Sequence, residues 1–330
     1  MSTMTIPRRR ILGALAAAPL AATTSFPAWS QGYPAKPIRI VVPLPPGSPP
    51  DVLARLVAER LQDAWKQPVV VDNRPGATGM IGMDAVAKSA PDGYTVGIMF
   101  LTHTVLPALF GKVPYDTGAD LAPIANLVWL YNVLVVPPSV PATSARELVE
   151  LARTQPGKLT YGSGGNGSPA HLIGESFRQL TRTEMLHVPF KGPNEAVQAL
   201  LGGHVSAMFA TTSVAVPLVN AGKLRAMAVT SPARLPALPS VPTMAESGVP
   251  GFDLKEWEGI VAPAGTPREI IAKWNEELTR IMRLSQVRDK LTELGMEAAP
   301  ANSPDQFTSL VRGELQRWTR FVKATGLKTD

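Results

Sequence analysis

The chain has 330 residues, 45% of them apolar and 18% charged, with a formal net charge of +6 and no cysteine. That length can bury a sizeable core in two lobes, and the missing cysteine excludes thiol nucleophiles, thiolate metal sites and redox CxxC chemistry. Arg8, Arg9 and Arg10 carry half of the net charge; the remainder is only mildly basic and has no Lys/Arg run among aromatics, so nucleic acid is not an expected partner.

Residues 1–30 read as an export signal. Pro7 to Arg10 supply the charged region, residues 11–22 a short apolar stretch, and Ala28-Trp29-Ser30 the small residues of a cleavage site. The apolar stretch is too short to span a bilayer. Arg8-Arg9-Arg10-Ile11-Leu12 fits a twin-arginine signal, with Ile where Phe is usual, and equally an ordinary export signal with a third arginine.

From residue 38 onward, short apolar runs of strand length alternate with helical patterns. IRIVV, QPVVVDN and YTVGIMF enclose VLARLVAERLQDAW and MIGMDAVAKSA. NVLVVPP, KLTYGSG, MLHVPF, VSAMFA and LRAMAVTS then alternate with helices over 144–155, 169–180, 194–203 and 214–222. Such alternation predicts an α/β fold with parallel-rich sheets covered by helices. Ser144 with Glu147, Thr266 with Glu269 and Ser303 with Gln306 fit capping boxes, and Pro267 and Pro304 fit the first helical position. Residues 101–131 and 231–267 are irregular and proline-dotted, and are expected to be two crossings between lobes. Lobe 1 would take 31–125 and 226–330, lobe 2 126–225, with a hinge and an interlobe cleft.

Ligands in open α/β sheets bind beyond the carboxyl ends of the strands. The loops there are PLPPGSPPD, NRPGATG, LTHT, GSGGNGSPAH, PFKGPN and FATTS. They are rich in Gly, Ser, Thr and Pro and poor in charge, and several run into helix N-termini, which can cradle an anion without arginine. Gly162–Gly167 matches GxGxxG and Glu184 follows at a suitable distance for a dinucleotide ribose. Ser168-Pro169, however, place the expected helix start after the last glycine, so the loop reads instead as a nest of outward-facing amides. GxSxG, Walker A, HxxxH and HExxH spacings are absent from the sequence, and no metal ligand set, cofactor or catalytic pair is identified. His103 and His171 follow candidate loops and are either satisfied polar residues or ligand contacts. Lys191 is either a solvated lysine or a cation for the ligand. Asp51 reads as a first-turn helix residue that could also order water in the cleft.

Together PLPPGSPPDVLARLVAERL, VVVDNRPGATGMIGMDAVAKSAPDGYT, THTVLPALFGKVPYD, PGKLTYGSGGNGSPAHLIGE, HVPFKG, AGKLRAMAVTS, LPSVPTMAESGVPGF and WEGIVAPAGTP resemble the substrate-binding proteins of tripartite tricarboxylate transporters, the TctC or Bug family, over residues 33–326. The resemblance implies a two-lobed type II periplasmic-binding fold, no enzymatic activity, and capture of a small organic acid in the periplasm. It further implies delivery to membrane permease subunits, or ligand sensing without transport, by a chain expected to be monomeric. From these loops and from the resemblance, the expected ligand-binding residues are Pro46, Gly47, Ser48, Asp51, Thr102, His103, Ser163, Gly164, Asn166, Gly167, Ser168, His171, Lys191 and Ala210. The chain departs from the family's PPGGxxD loop: Ser48 replaces the second glycine, and Pro49 and Pro50 remove two N–H donors. The cradle is then left with Gly47, Ser48 and the Asp51 amide. Ala210 stands where relatives often have an acidic residue. N-terminal sequencing of exported protein is expected to begin at or near Gln31; an intact Met1 or Met4 start on exported protein would refute the assignment of the signal.

Overall fold

The structure, a computed structural model, describes Met1, residues 32–252 and residues 254–327; the expected export segment otherwise lies outside the described residues. The chain divides into Met1–Tyr33 and Pro34–Asp330, and every element below belongs to the second unit. The strands are β1 (Ile38–Val42), β2 (Val69–Asn73), β3 (Thr95–Phe100), β4 (Leu121–Leu130), β5 (Asn132–Val136), β6 (Thr160–Ser163), β7 (Leu186–Pro189), β8 (Ala207–Thr211), β9 (Arg225–Val229), β10 (Glu256–Pro263) and β11 (Met296–Ala298). Between them run α1 (Pro49–Trp65), α2 (Met80–Ala87), α3 (Thr102–Phe110), α4 (Ala145–Thr154), α5 (Pro169–Thr181), α6 (Pro193–Leu201) and α7 (Thr212–Asn220), followed by α8 (Arg268–Met282), α9 (Ser285–Glu293) and α10 (Pro304–Thr325).

These strands form two sheets. The first has the order β11-β4-β10-β3-β1-β2 and the second β7-β6-β8-β5-β9. Strands β1, β2 and β3 are mutually parallel neighbours, as are β7, β6 and β8. Each parallel unit follows from the alternation of short β-branched runs with amphipathic helices, whose apolar faces need a sheet to cover. The exposed Val70 of β2 and Leu186 of β7 lie on the outermost strands, as unpaired edges require.

The proline-dotted crossings hold more structure than their composition suggests. The second half of 101–131 forms β4, ten residues long, and the end of 231–267 forms β10. Both join the first sheet antiparallel, while β5 and β9 join the second sheet antiparallel. The chain therefore passes from one sheet to the other twice, at Tyr131 and over residues 230–255. Pro123 survives inside β4 because it sits where the register against β10 slips, and because β11 covers only Val128–Leu130; a missing N–H is tolerated at such a position.

Helix starts follow the sequence in part. Ser303 and Gln306 form a complete capping box. Ser144 accepts from the Glu147 N–H, but the Glu147 carboxylate reaches Thr143 instead of closing the box. At α8 the expectation fails: the N-cap is Pro267, one position later than the expected Thr266, and the Thr266 hydroxyl donates to the Pro263 carbonyl in the turn that ends β10.

Trp257 and Phe307, with ring centroids 5.4 Å apart, anchor α10 on the first sheet. Next to them Gly259 admits no side chain: a Cβ there would stand 2.4 Å from the Phe307 ring and 2.5 Å from the Ala125 carbonyl oxygen. Gly259→Ala is expected to destabilise the protein by about 1–3 kcal/mol, because the backbone cannot yield as a side chain can. Urea titration of both proteins measures this, and an unchanged midpoint would contradict it.

Candidate functional site

In the first sheet, the loop between β1 and α1 is braced from within. The Asp51 carboxylate is buried, and its Oδ2 accepts the Gly47 N–H at 2.9 Å and the Arg55 Nε–H at 3.0 Å. Its Oδ1 accepts from Asn73 Nδ2 at 2.9 Å and lies 3.0 Å from Arg55 Nη2. Asn73 also donates to the Leu44 carbonyl, and the Ser48 hydroxyl donates to the Pro45 carbonyl at 2.7 Å. Burial pushes the Asp51 pKa up, but the bonds from Arg55, Gly47 and Asn73 outweigh it and hold the carboxyl below its ordinary value. Two of the three groups expected to hold a ligand anion, the Gly47 amide and the Ser48 hydroxyl, are therefore engaged inside the loop. Pro49 and Pro50 occupy the first two helical positions, so the Asp51 amide is the first helical N–H that can point outward. Pro46 and Gly47 are exposed.

The neighbouring loop after β2 is strained. Gly76, Ala77, Thr78 and Gly79 all have positive φ, at 129°, 47°, 55° and 93°. Ala77 and Thr78 carry Cβ atoms, and each costs about 1–2 kcal/mol in that region. Tertiary packing holds the loop. Pro43 lies against both Gly79 and Gly82, and the His103 ring stands against Gly79. His103 is fully buried, its Nδ1 is 3.1 Å from both the N and the O of Phe100, and its ring meets Phe100 edge-on. Burial lowers its pKa to about 4, more than its backbone contacts can restore. His103 is thus a neutral strut joining the loops after β1, β2 and β3. Beside it, the buried Thr102 hydroxyl at the start of α3 has no hydrogen-bond partner.

In the second sheet the loop after β6 rests on a stack of rings. The Ser163 hydroxyl is 2.6 Å from His187 Nε2 and also bonds both backbone groups of Gly165. Gly167 N–H donates to His171 Nδ1 at 3.0 Å. His171 stacks on His187 at 4.0 Å, and His187 on Tyr161 at 5.0 Å. The Tyr161 hydroxyl bonds Glu175, which pairs with Arg178. Burial, then Arg178, lowers the His171 pKa to about 4; burial, then His171, lowers that of His187 to about 3. His187 was not singled out by the sequence. Its only signal is the register of β7, which sets it directly beside Tyr161 of β6.

Ser168 is the N-cap of α5, yet its hydroxyl caps nothing and is buried without a partner. Pro169 follows, so the free helical amides are those of Ala170 and His171. Gly167, the third glycine of GxGxxG, precedes the helix with φ +78°, and the dinucleotide geometry is not formed. Asn166 is half-buried and Lys191 exposed; the 190–193 loop packs on Gly164, and Phe190 N–H donates to the Ser163 carbonyl. Ala210 is buried in the apolar cluster of the second sheet with Val133, Met208 and Ala215.

The residues at both ends of α3 lie near the start of α5. Leu101 shares a crevice with Pro169, Leu172 and Ile173, and Leu109 lies against Gly167. The structure thus brings Ser163, Gly164, Gly167, Ser168, His171 and Lys191 into one neighbourhood, while Thr102 opens the helix whose other end, at Leu109, lies against Gly167. Pro46, Gly47, Ser48, Asp51 and His103 form a second group, joined through Pro43 and Gly79. Among the described residues no group of three or more His, Asp or Glu could hold a metal ion, and no helix is long and apolar enough to cross a membrane.

Comparison with known proteins gives the same outline. The profile of the tripartite tricarboxylate transporter family receptor matches residues 53–327. Protein BugT of Bordetella pertussis is 38% identical over 307 residues, 92% of this chain and 93% of that protein. Among solved structures, R. palustris Rpa4515 with adipate is 35% identical with a TM-score of 0.83, covering 90% of this chain and 99% of that one. MatC of Rhodopseudomonas palustris with bound malate is 32% identical with a TM-score of 0.79, over 88% and 100%.

Asp51→Ala is expected to destabilise the protein by about 2–3 kcal/mol at neutral pH, since it leaves several donors without a charged acceptor. Because the folded pKa is lowered, this contribution is present above the ordinary carboxylate pKa and disappears as pH falls through the lowered value. Denaturant titrations of both proteins at neutral and acid pH check it; a difference that does not shrink in acid would contradict the assignment.

Proposed function

The chain belongs to the tripartite tricarboxylate transporter receptor family, and on that premise we propose that it is an exported periplasmic protein that captures a small organic acid between two closing lobes. The lobes correspond to 31–125 with 226–330 and to 126–225. The observation that carries this reading is the pair of buried, unpartnered hydroxyls, Thr102 and Ser168. Each stands at the start of a helix, one helix from each sheet, and Leu101 beside Thr102 shares a crevice with Pro169 beside Ser168. Buried hydroxyls without partners are rare in folded proteins. Helix N-termini favour anions, and an incoming acid supplies the partners these hydroxyls lack.

Dicarboxylates are the ligand class this supports, as adipate and malate occupy two relatives of similar fold. Ala210 argues against amino acids: it is apolar and buried where an acidic partner would be needed, and an unpaired ammonium in a desolvated site is costly. The captured acid is delivered to the membrane subunits of a tripartite tricarboxylate-type transporter, and the binding protein acts as a monomer without catalysing a reaction. Ser163 belongs to the loop's framework, as its hydroxyl is already engaged with His187 and Gly165.

Titration calorimetry of the mature protein with adipate and with 2-aminoadipate tests the ligand class; tighter binding of the amino acid would overturn it. Ser168→Ala is expected to weaken binding of the acid by about 1–3 kcal/mol, the worth of a hydrogen bond to a charged oxygen. Ser163→Ala is expected to lower the melting temperature and leave affinity nearly unchanged. The reverse pattern would move the site to Ser163.

A further inference from the structure

Glu258 is a buried carboxyl group with no evident structural task. It is 4% exposed, and its Oε2 has no hydrogen-bond partner. Strand register sets it opposite Phe100, the last residue of β3, and opposite Val128 of β4. It therefore lies at the carboxyl end of the parallel strands, the end where ligands enter such sheets. Its face of the sheet follows from alternation. Trp257 and Val261 join the cluster that contains Met83, Val86, Met99 and Val41, the side packed by α2. Helices α1 and α2 connect β1 to β2 and β2 back to β3, in opposite directions across the sheet. Right-handed crossovers then put them on opposite faces. Glu258 shares the face of α1, whose N-terminus carries the loop after β1.

Further orphaned atoms stand at this end of the sheets, His103 Nε2 among them. Two matter here: the Thr102 hydroxyl, two residues beyond Phe100, and Asn132 Oδ1 at the crossing into the second sheet. Both residues are 1% exposed. Asn132 Nδ2 donates to Glu256 Oε1 at 2.6 Å, and the charge of Glu256 acts on Glu258. Three buried polar groups from three different elements thus lack partners around one hinge.

We propose that Glu258 is a specificity-determining residue of the cleft, its carboxyl group hydrogen-bonding one oxygen of the bound acid from the hinge side. The proposal rests on the reading of the cleft as a carboxylate site. Burial, reinforced by Glu256, pushes the Glu258 pKa well above the ordinary carboxylate range, and burial raises that of Glu256 to about 7. A neutral carboxyl group is a hydrogen-bond donor. It meets a carboxylate oxygen without the repulsion that an ionised glutamate would bring. Thr102 supplies a second donor from α3, so two orphaned groups are satisfied by one ligand carboxylate.

The test uses the mature chain, with adipate and malate as probes, in titration calorimetry of the wild type, Glu258→Gln and Glu258→Leu. The glutamine variant keeps a donor and is expected to bind within about three-fold of the wild type, while the leucine variant loses about ten-fold or more. Melting temperatures establish that both variants fold. Difference infrared spectroscopy gives an independent readout. The carbonyl band of a neutral carboxylic acid is expected in the wild type, shifted by ligand and diminished in Glu258→Gln. A leucine variant that binds as tightly as the wild type, or an acid band indifferent to ligand, overturns the proposal. Wild-type protein that takes up neither acid overturns the carboxylate reading and this proposal together, and is recognised because binding is then missing before any substitution.

Discussion

The chain crosses between its two sheets twice, and Asn132 ties the crossings together. Its N–H donates to the Thr230 hydroxyl and its carbonyl accepts the Thr230 N–H, each at 2.9 Å, which fastens the start of β5 to the end of β9. Its side-chain amide bonds Glu256, the first residue of β10, which returns the chain to the first sheet. One buried residue thereby links the outgoing and the returning strand. A hinge made of two bonded strands allows a small set of rotations while forbidding the lobes to separate. The proposed site needs that restriction, because its loops come from both sheets.

Within each sheet, the polar groups next to the cleft divide into two kinds. Asp51, Ser163, His103 and His171 are buried, and each spends hydrogen bonds on the loop it supports. Thr102, Ser168 and Glu258 are buried and unsatisfied. The first kind holds loops whose own backbone is unfavourable, such as the positive-φ run from Gly76 to Gly79. The second kind lowers stability, since a buried unpaired donor or acceptor costs about 1–3 kcal/mol, and under the proposed function a ligand supplies the missing partners. A loop shaped in advance also loses less entropy on binding. The five prolines between Val42 and Asp51 serve the same end by a different route, narrowing the unfolded ensemble of that loop.

Charge plays a smaller part than the function suggests. Among the described residues the candidate loops carry two cations, Arg74, which pairs with Asp72, and Lys191 at the exposed edge, while Arg55 of α1 is committed to Asp51. In the proposed site, helix N-termini and hydroxyls take the place of cations. Such a site discriminates by geometry and by the number of donors it presents, because several partly charged groups must all be aligned to match one full charge.

Much of this was legible in the amino-acid order. The strand-to-helix alternation identified the parallel units, because a buried parallel strand must be a short apolar run and its crossover helix must be amphipathic. The loop motifs identified the family and the ends of the strands where a site could lie. Strands β4 and β10 were not legible, since Pro123 and the glycines and prolines around them suppress any local strand signal, and only pairing in the sheet makes them strands. Nor could sequence say which polar residues face a ligand. Ser163 and Ser168 stand five residues apart in one loop with the same hydroxyl, and their different tasks follow from His187, which β7 brings alongside from 24 residues away. Glu256 and Glu258 read as two ordinary acids of a strand. Burial at a crossing between two sheets makes them neighbours without counter-charge of their own, and burial is a property of the assembled chain. Local composition determined which elements form; only the tertiary structure decided which of their polar atoms were left without a partner.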